Sequence, residues 1–121
     1  MSHKITRVYK AVNSKPLLKE VTDFIEEGLG EFGVQWDSES QKETFVEIVE
    51  DFLAEIMEIQ GKIVSYKVMA DRRNNKASDW ENGVYKFDVA YKQKNCLNTT
   101  QLLYTITTVK DKEMLILDFN L

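Results

Sequence analysis

His3 is the only histidine in the chain and Cys96 the only cysteine, so most nucleophilic or metal chemistry would have to be built around one of them. A Ser-His-Asp arrangement needs a histidine held between nucleophile and carboxylate. His3 instead falls in a polar terminal segment, where chains are poorly tied down. A zinc site takes four Cys or His ligands at close spacing, and Cys96 has no second cysteine or nearby histidine to complete one. Thiol activation needs an electropositive setting, so Cys96 reads as structural or incidental. Asp71, Asn74, Asn75 and Asp79 in residues 71–83 could suggest calcium, but their spacing departs from ligands at alternate positions closed by a glutamate at the twelfth. The same residue types are favoured in turns, because their side chains bond nearby backbone. Gly28, Gly30 and Gly33 spell Gly-x-Gly-x-x-Gly, yet they end a helical pattern, whereas a dinucleotide fingerprint follows a strand and opens a helix. Arg72-Arg73 is too small a basic patch to indicate nucleic acid. The reading is of a protein that is not an enzyme, with no metal, no cofactor and no small-molecule ligand.

The elements that would position any site can be read from apolar spacing. Residues 4–12 alternate weakly, as a short strand or an extended arm. Ser14 is a candidate N-cap and Pro16 suits a first helical turn. Leu17, Leu18, Val21, Phe24, Ile25, Leu29 and Phe32 then keep helical spacing, and the three glycines are expected to weaken and stop that helix. Ser38 with Gln41, or Ser40 with Glu43, can form a capping box. A second helix follows, its stripe running through Phe45, Ile48, Val49, Phe52, Leu53, Ile56 and Ile59 to Gly61. After Gly61 the period becomes two. Val64, Tyr66, Val68 and Ala70 share one strand face, and Tyr85, Phe87, Val89 and Tyr91 share another. Residues 102–109 and 114–119 read as two strands joined by a charged turn, the last apolar on both faces and therefore needing cover on both.

This order predicts an α+β fold: two amphipathic helices packed on a mainly antiparallel sheet of three to four strands, with extended N- and C-terminal arms. At 121 residues the chain fits one domain, divided into an arm or strand at 1–13, a helix pair at 14–61 and the sheet at 62–121. The N-terminus lacks the apolar run of a signal peptide, and no stretch approaches a membrane-spanning length. Cytoplasmic synthesis and no membrane partner are expected.

Charge is distributed unevenly. Residues 15–59 hold Lys15, Lys19 and Lys42 against thirteen carboxylates, while the segments on either side are each net basic. The acidic face of the second helix carries Glu43, Glu47, Glu50, Asp51, Glu55 and Glu58. Such asymmetry favours head-to-tail contact between copies or docking on a basic partner.

One family resemblance covers residues 14–108. The helix at 17–32, the connector Gln35-Trp36-Asp37, the helix at 45–61, the strand at 66–70, the loop with Asp71, Asn74, Asn75, Asp79 and Gly83, and the strands at 85–91 and 102–106 follow one order. That order resembles the C-terminal domain of contractile phage tail sheath proteins, including sheath-initiator-like forms. The chain departs from that pattern by lacking large insertions and prolines after the second strand, and by adding a hairpin over 102–119. The resemblance implies a structural subunit of a contractile tail, in a virion or phage-like injection machine. Its partners would be copies of itself or other tail proteins (tube, baseplate or sheath). It also implies strand exchange between neighbours, in which extended arms add strands to adjacent sheets. Ile5, Val8 and Val12 at one end, and Met114, Leu115, Ile116, Leu117 and Phe119 at the other, are the residues expected to carry it. The alternative from charge alone is a small acidic binding or inhibitor protein that occupies a partner's basic surface.

Overall fold

The computed structural model describes residues 2–32, 39–109 and 115–119, with side chains described for 3–30 and 40–108. The chain runs β1 (Ser2–Lys10), α1 (Lys15–Phe32), α2 (Glu39–Glu55) with a closing π-helical turn (Ile56–Gln60), β2 (Ile63–Met69), α3 (Ala77–Glu81), β3 (Val84–Gln93), β4 (Thr99–Val109) and β5 (Leu115–Phe119). The five strands form one sheet in the order β2-β3-β4-β1-β5, antiparallel except for the β1–β5 pair. The α+β expectation holds. The sheet is wider than expected because both terminal segments join it.

Alternation in the strands makes one face apolar, and the helices cover that face. Leu17, Val21, Ile25 and Leu29 of α1 bury with Phe45, Val49 and Leu53 of α2 and Ile56 after it, against Ile5, Tyr85, Phe87, Val89, Tyr91, Leu102, Tyr104 and Ile106 of the sheet. Burial of such large side chains, each worth ~1.5–3 kcal/mol, is the main force holding the layers together. Phe24 and Phe52 stack with ring centroids 4.0 Å apart and tie α1 to α2. Phe45 meets Phe87 at 5.1 Å, and Phe87 meets Tyr104 at 6.4 Å, so an aromatic row runs from α2 across two strands.

Several local expectations are corrected. Gly28 and Gly30 do not interrupt α1, which continues through both to Phe32, and Gly33 lies outside the described residues. Gly28 is where the Phe45 ring crosses, and a Cβ there would collide with it. Ser40 lies inside α2, and its carbonyl accepts from the Thr44 hydroxyl, so Ser40 and Glu43 form no capping box. Ser38 and the connector Gln35-Trp36-Asp37 lie outside the described residues. In β2 a register shift between Ile63 and Ser65 turns Val64 outward at 51% exposure and Ile63 inward. A bulge of this kind moves one residue across the pleat. Residues 71–83 also contain a short helix, α3, that periodicity did not reveal.

The largest correction concerns the ends. The strands at 102–109 and 114–119 are not a paired hairpin, because β1 lies between β4 and β5. It pairs with β4 over nine residues, from Ser2↔Val109 to Lys10↔Gln101, and with β5 from His3↔Leu115 to Arg7↔Phe119. Local turn chemistry makes sequential strands adjacent by default. Here the long ladder available to β1 outweighs that preference.

Candidate interaction surfaces

The loop after β2 holds most of the polar residues singled out above, and its geometry explains them. The Asp71 carboxylate accepts from the Arg73 backbone N–H at 2.9 Å and from its guanidinium, which holds the Asp71 carboxyl below the usual carboxylate range. Asn74 donates to the Met69 carbonyl at 2.8 Å and to Asp88 at 3.0 Å. Asn75 is buried, and its amide accepts from Lys86 N–H at 2.6 Å and donates to Lys86 C=O at 3.0 Å. The β2–β3 ladder ends at Met69↔Asp88, so the Asn75 side chain supplies the next rung. Asp79 sits in the first turn of α3. Gly83 has φ +74°, its carbonyl accepts from Thr108 N–H at 2.8 Å, and a Cβ there would press on Thr108. These groups are used to fasten the loop to β3 and β4.

Two residues missed by the sequence reading brace the same region. Lys42 is only 5% exposed, with its ammonium 4.2 Å from the centroid of the Trp80 ring and 4.7 Å from that of Tyr85. Cation–π contact of this kind is worth ~2 kcal/mol when desolvated. The available signal was position, since Lys42 lies three residues before Phe45 and therefore on the apolar stripe. Arg7 is the second, ion-paired with Glu26 of α1 and lying over the Tyr9 ring at 4.4 Å. It fixes β1 to the helix layer.

The carboxylates of α2 and its closing turn lie mostly on the solvent side of the helix. Glu43, Glu47, Asp51, Glu55 and Glu58 are exposed, and Glu50 is partly buried near Arg73. None of the six makes an ion pair among the described residues, whereas Glu20, Asp23 and Glu26 of α1 pair with Lys62, Lys19 and Arg7. Exposed Ile48 and Ile59 border the same face.

The terminal residues fall in different places. Ile5 is fully buried in the core, Val8 is 44% exposed on the uncovered sheet face, and Val12 lies beyond β1 in the link to α1. Leu115, Ile116, Leu117 and Phe119 belong to β5, whose backbone pairs with β1, and Met114 lies outside the described residues. The link, residues 11–14, starts at Ala11 with φ +56°. That left-handed conformation costs a non-glycine residue ~1–2 kcal/mol. The Thr100 hydroxyl holds it in place by donating to the Ala11 carbonyl at 2.8 Å. Thr100 is also the direct β4 partner of Tyr91, whose buried hydroxyl is pushed up to about 12 by desolvation.

Among the described residues no helix is long and apolar enough to cross a membrane. The chain matches no family model, no curated protein and no solved structure.

Proposed function

We propose that this chain is a structural subunit that assembles by exchanging β1 between neighbours, as a sheath-type or sheath-initiator-type component of a contractile tail. The observation that carries this reading is the position of the first strand. β1 fills a slot between two strands from the other end of the chain, β4 and β5, and a short link with a left-handed alanine joins it to α1. A β1 from a second copy can make the same backbone ladder in that slot. The exchange therefore loses no strand pairing, which is why swapping an identical element is a low-cost route to assembly. Opening the link also releases the conformational cost at Ala11. The order of helices, loop and strands resembles the sheath domain on the residues given above, and this supplies the tail assignment.

The test is the mass of the purified chain across concentration by light scattering, with electron microscopy of the same sample. Rings, tubes or large oligomers are expected. Deleting residues 113–121 removes β5 and should abolish assembly while leaving a folded helix pair. Unchanged assembly after that deletion would count against the exchange.

A second reading, a small acidic binding protein for a basic surface, is favoured by the carboxylates of α2 that have no ion-pair partner among the described residues. Reversing charge at Glu47, Glu50 and Glu55 would then eliminate partner binding and leave the mass in solution unchanged.

A further inference from the structure

The two layers of the molecule carry opposite charge. With the helices on one side of the sheet, the other side has no described element over it. Strand alternation places Lys67 of β2, Lys86 and Lys92 of β3, and Lys4 and Lys10 of β1 on this open face. Asp88 is the one carboxylate among the described side chains there. It is half-buried, its pKa is raised by desolvation, and it accepts from Asn74. Lys10, Lys67, Lys86 and Lys92 make no ion pair among the described residues. Register sets one row across the strands at this level, Met69, Asp88, Leu103 and Val8, in which three apolar side chains flank the half-buried Asp88. A depression of about 260 Å³ opens on it, lined by Lys67, Met69, Asp88, Ala90, Gln101 and Leu103.

The outer face of α2 is its counterpart. It presents carboxylates without partners among the described residues, bordered by Ile48 and Ile59. Those isoleucines are separated by ~16 Å along a helix at 1.5 Å per residue. The row from Met69 to Val8 spans three strand spacings, ~14 Å. The two opposite faces of one molecule therefore carry opposite charge, with apolar residues spread over a similar span.

We infer that the open sheet face docks the acidic α2 face of a second copy, with lysines set against the carboxylates and the row's apolar residues against Ile48 and Ile59. A contact between different faces is heterologous and repeats, so it builds stacks or closes into rings. It acts along the normal to the sheet, whereas β1 exchange acts within the sheet plane. The inference rests on the reading that copies of this chain assemble, and it names the faces that meet.

A charge-swap experiment tests it by sedimentation of the full chain. Lys67→Glu with Lys86→Glu and Lys92→Glu makes both faces acidic, and Glu43→Lys with Glu47→Lys, Asp51→Lys and Glu55→Lys makes the helix face basic. Each variant alone should associate at least about tenfold more weakly than the native chain. An equal mixture should recover association, because each altered face then finds its complement. Native association should also fall steeply between 0.1 M and 1 M salt, as the screening length drops from ~10 Å to ~3 Å. A native chain that stays monomeric at low salt, variants that associate like it, or a mixture that stays apart would each overturn the inference. Neither substitution set touches the β1–β4 ladder. Loss of the charge swap with exchange intact thus removes this contact alone, and loss of exchange with the swap intact leaves stacks of closed monomers.

Discussion

At the scale of single residues, Ala11 and Asn75 show how a small feature governs a larger one. Ala11 occupies the left-handed region at the joint between β1 and α1. Glycine takes that conformation without the steric penalty, so Ala11→Gly should favour the closed chain by about 1 kcal/mol and shift the assembly towards monomer. Proline is fixed near φ −65°, so Ala11→Pro should drive β1 away from its own sheet and raise the oligomer fraction. Light scattering at matched concentration reads both, and equal masses for the two variants would show that the joint has no influence. Asn75 acts on stability instead. Its amide completes the β3 ladder at Lys86, and Asn75→Ala leaves the Lys86 N–H without that acceptor and its C=O with only the longer bond from Asn74. A loss of ~1–3 kcal/mol in urea unfolding is expected.

At the scale of elements, helix packing turns on one close approach. Gly28 lets the Phe45 ring cross α1. Gly28→Ala would ordinarily strengthen a helix, but here overpacking should cost ~1–3 kcal/mol. A gain in the unfolding midpoint would contradict that packing. This is also where the limits of the sequence show. The apolar stripes of α1 and α2 and the alternation of β3 were legible because periodicity reports burial directly. The role of Gly28 was not, because a glycine placed for a neighbour's ring looks the same in sequence as one that ends a helix. The bulge at Val64 was hidden for a similar reason, since one extra residue leaves composition unchanged and moves the face. Of the surfaces, the acidic stripe of α2 was legible as charge on a helical period. The open basic face was not, because its lysines come from three separate strands and only register brings them together. The place of β1 between β4 and β5 was equally hidden, being a choice among long-range partners that local pattern does not encode.

At the scale of the whole molecule, the core contains tyrosines whose ionisation is coupled to folding. Desolvation raises Tyr91 to about 12 and raises Tyr104 further. An unfolded tyrosine titrates near 10, so the native state holds these protons more tightly. The stability they confer is complete below pH 10 and is lost as pH rises towards 12. Tyrosinate absorbance should therefore rise in two stages. Accessible rings titrate first, and the buried pair appears together with loss of helical circular dichroism. A single smooth titration with the fold intact would contradict the burial of the pair. Tyr91 also stands opposite Thr100, which pins Ala11, so the same alkaline transition should loosen the joint of β1.

The central claim is that β1 pairs with the β4 of a neighbour. Thr6 and Thr105 are direct Cα partners in the β1–β4 ladder, at the separation a disulfide can bridge. The measurement is oxidation of a Thr6→Cys, Thr105→Cys chain with Cys96→Ser, at a concentration where the native protein assembles, followed by denaturing electrophoresis without reductant. Exchange predicts a ladder of covalently linked chains that collapses to one band on reduction. Internally closed single chains, with no higher band, would show that β1 stays in its own sheet.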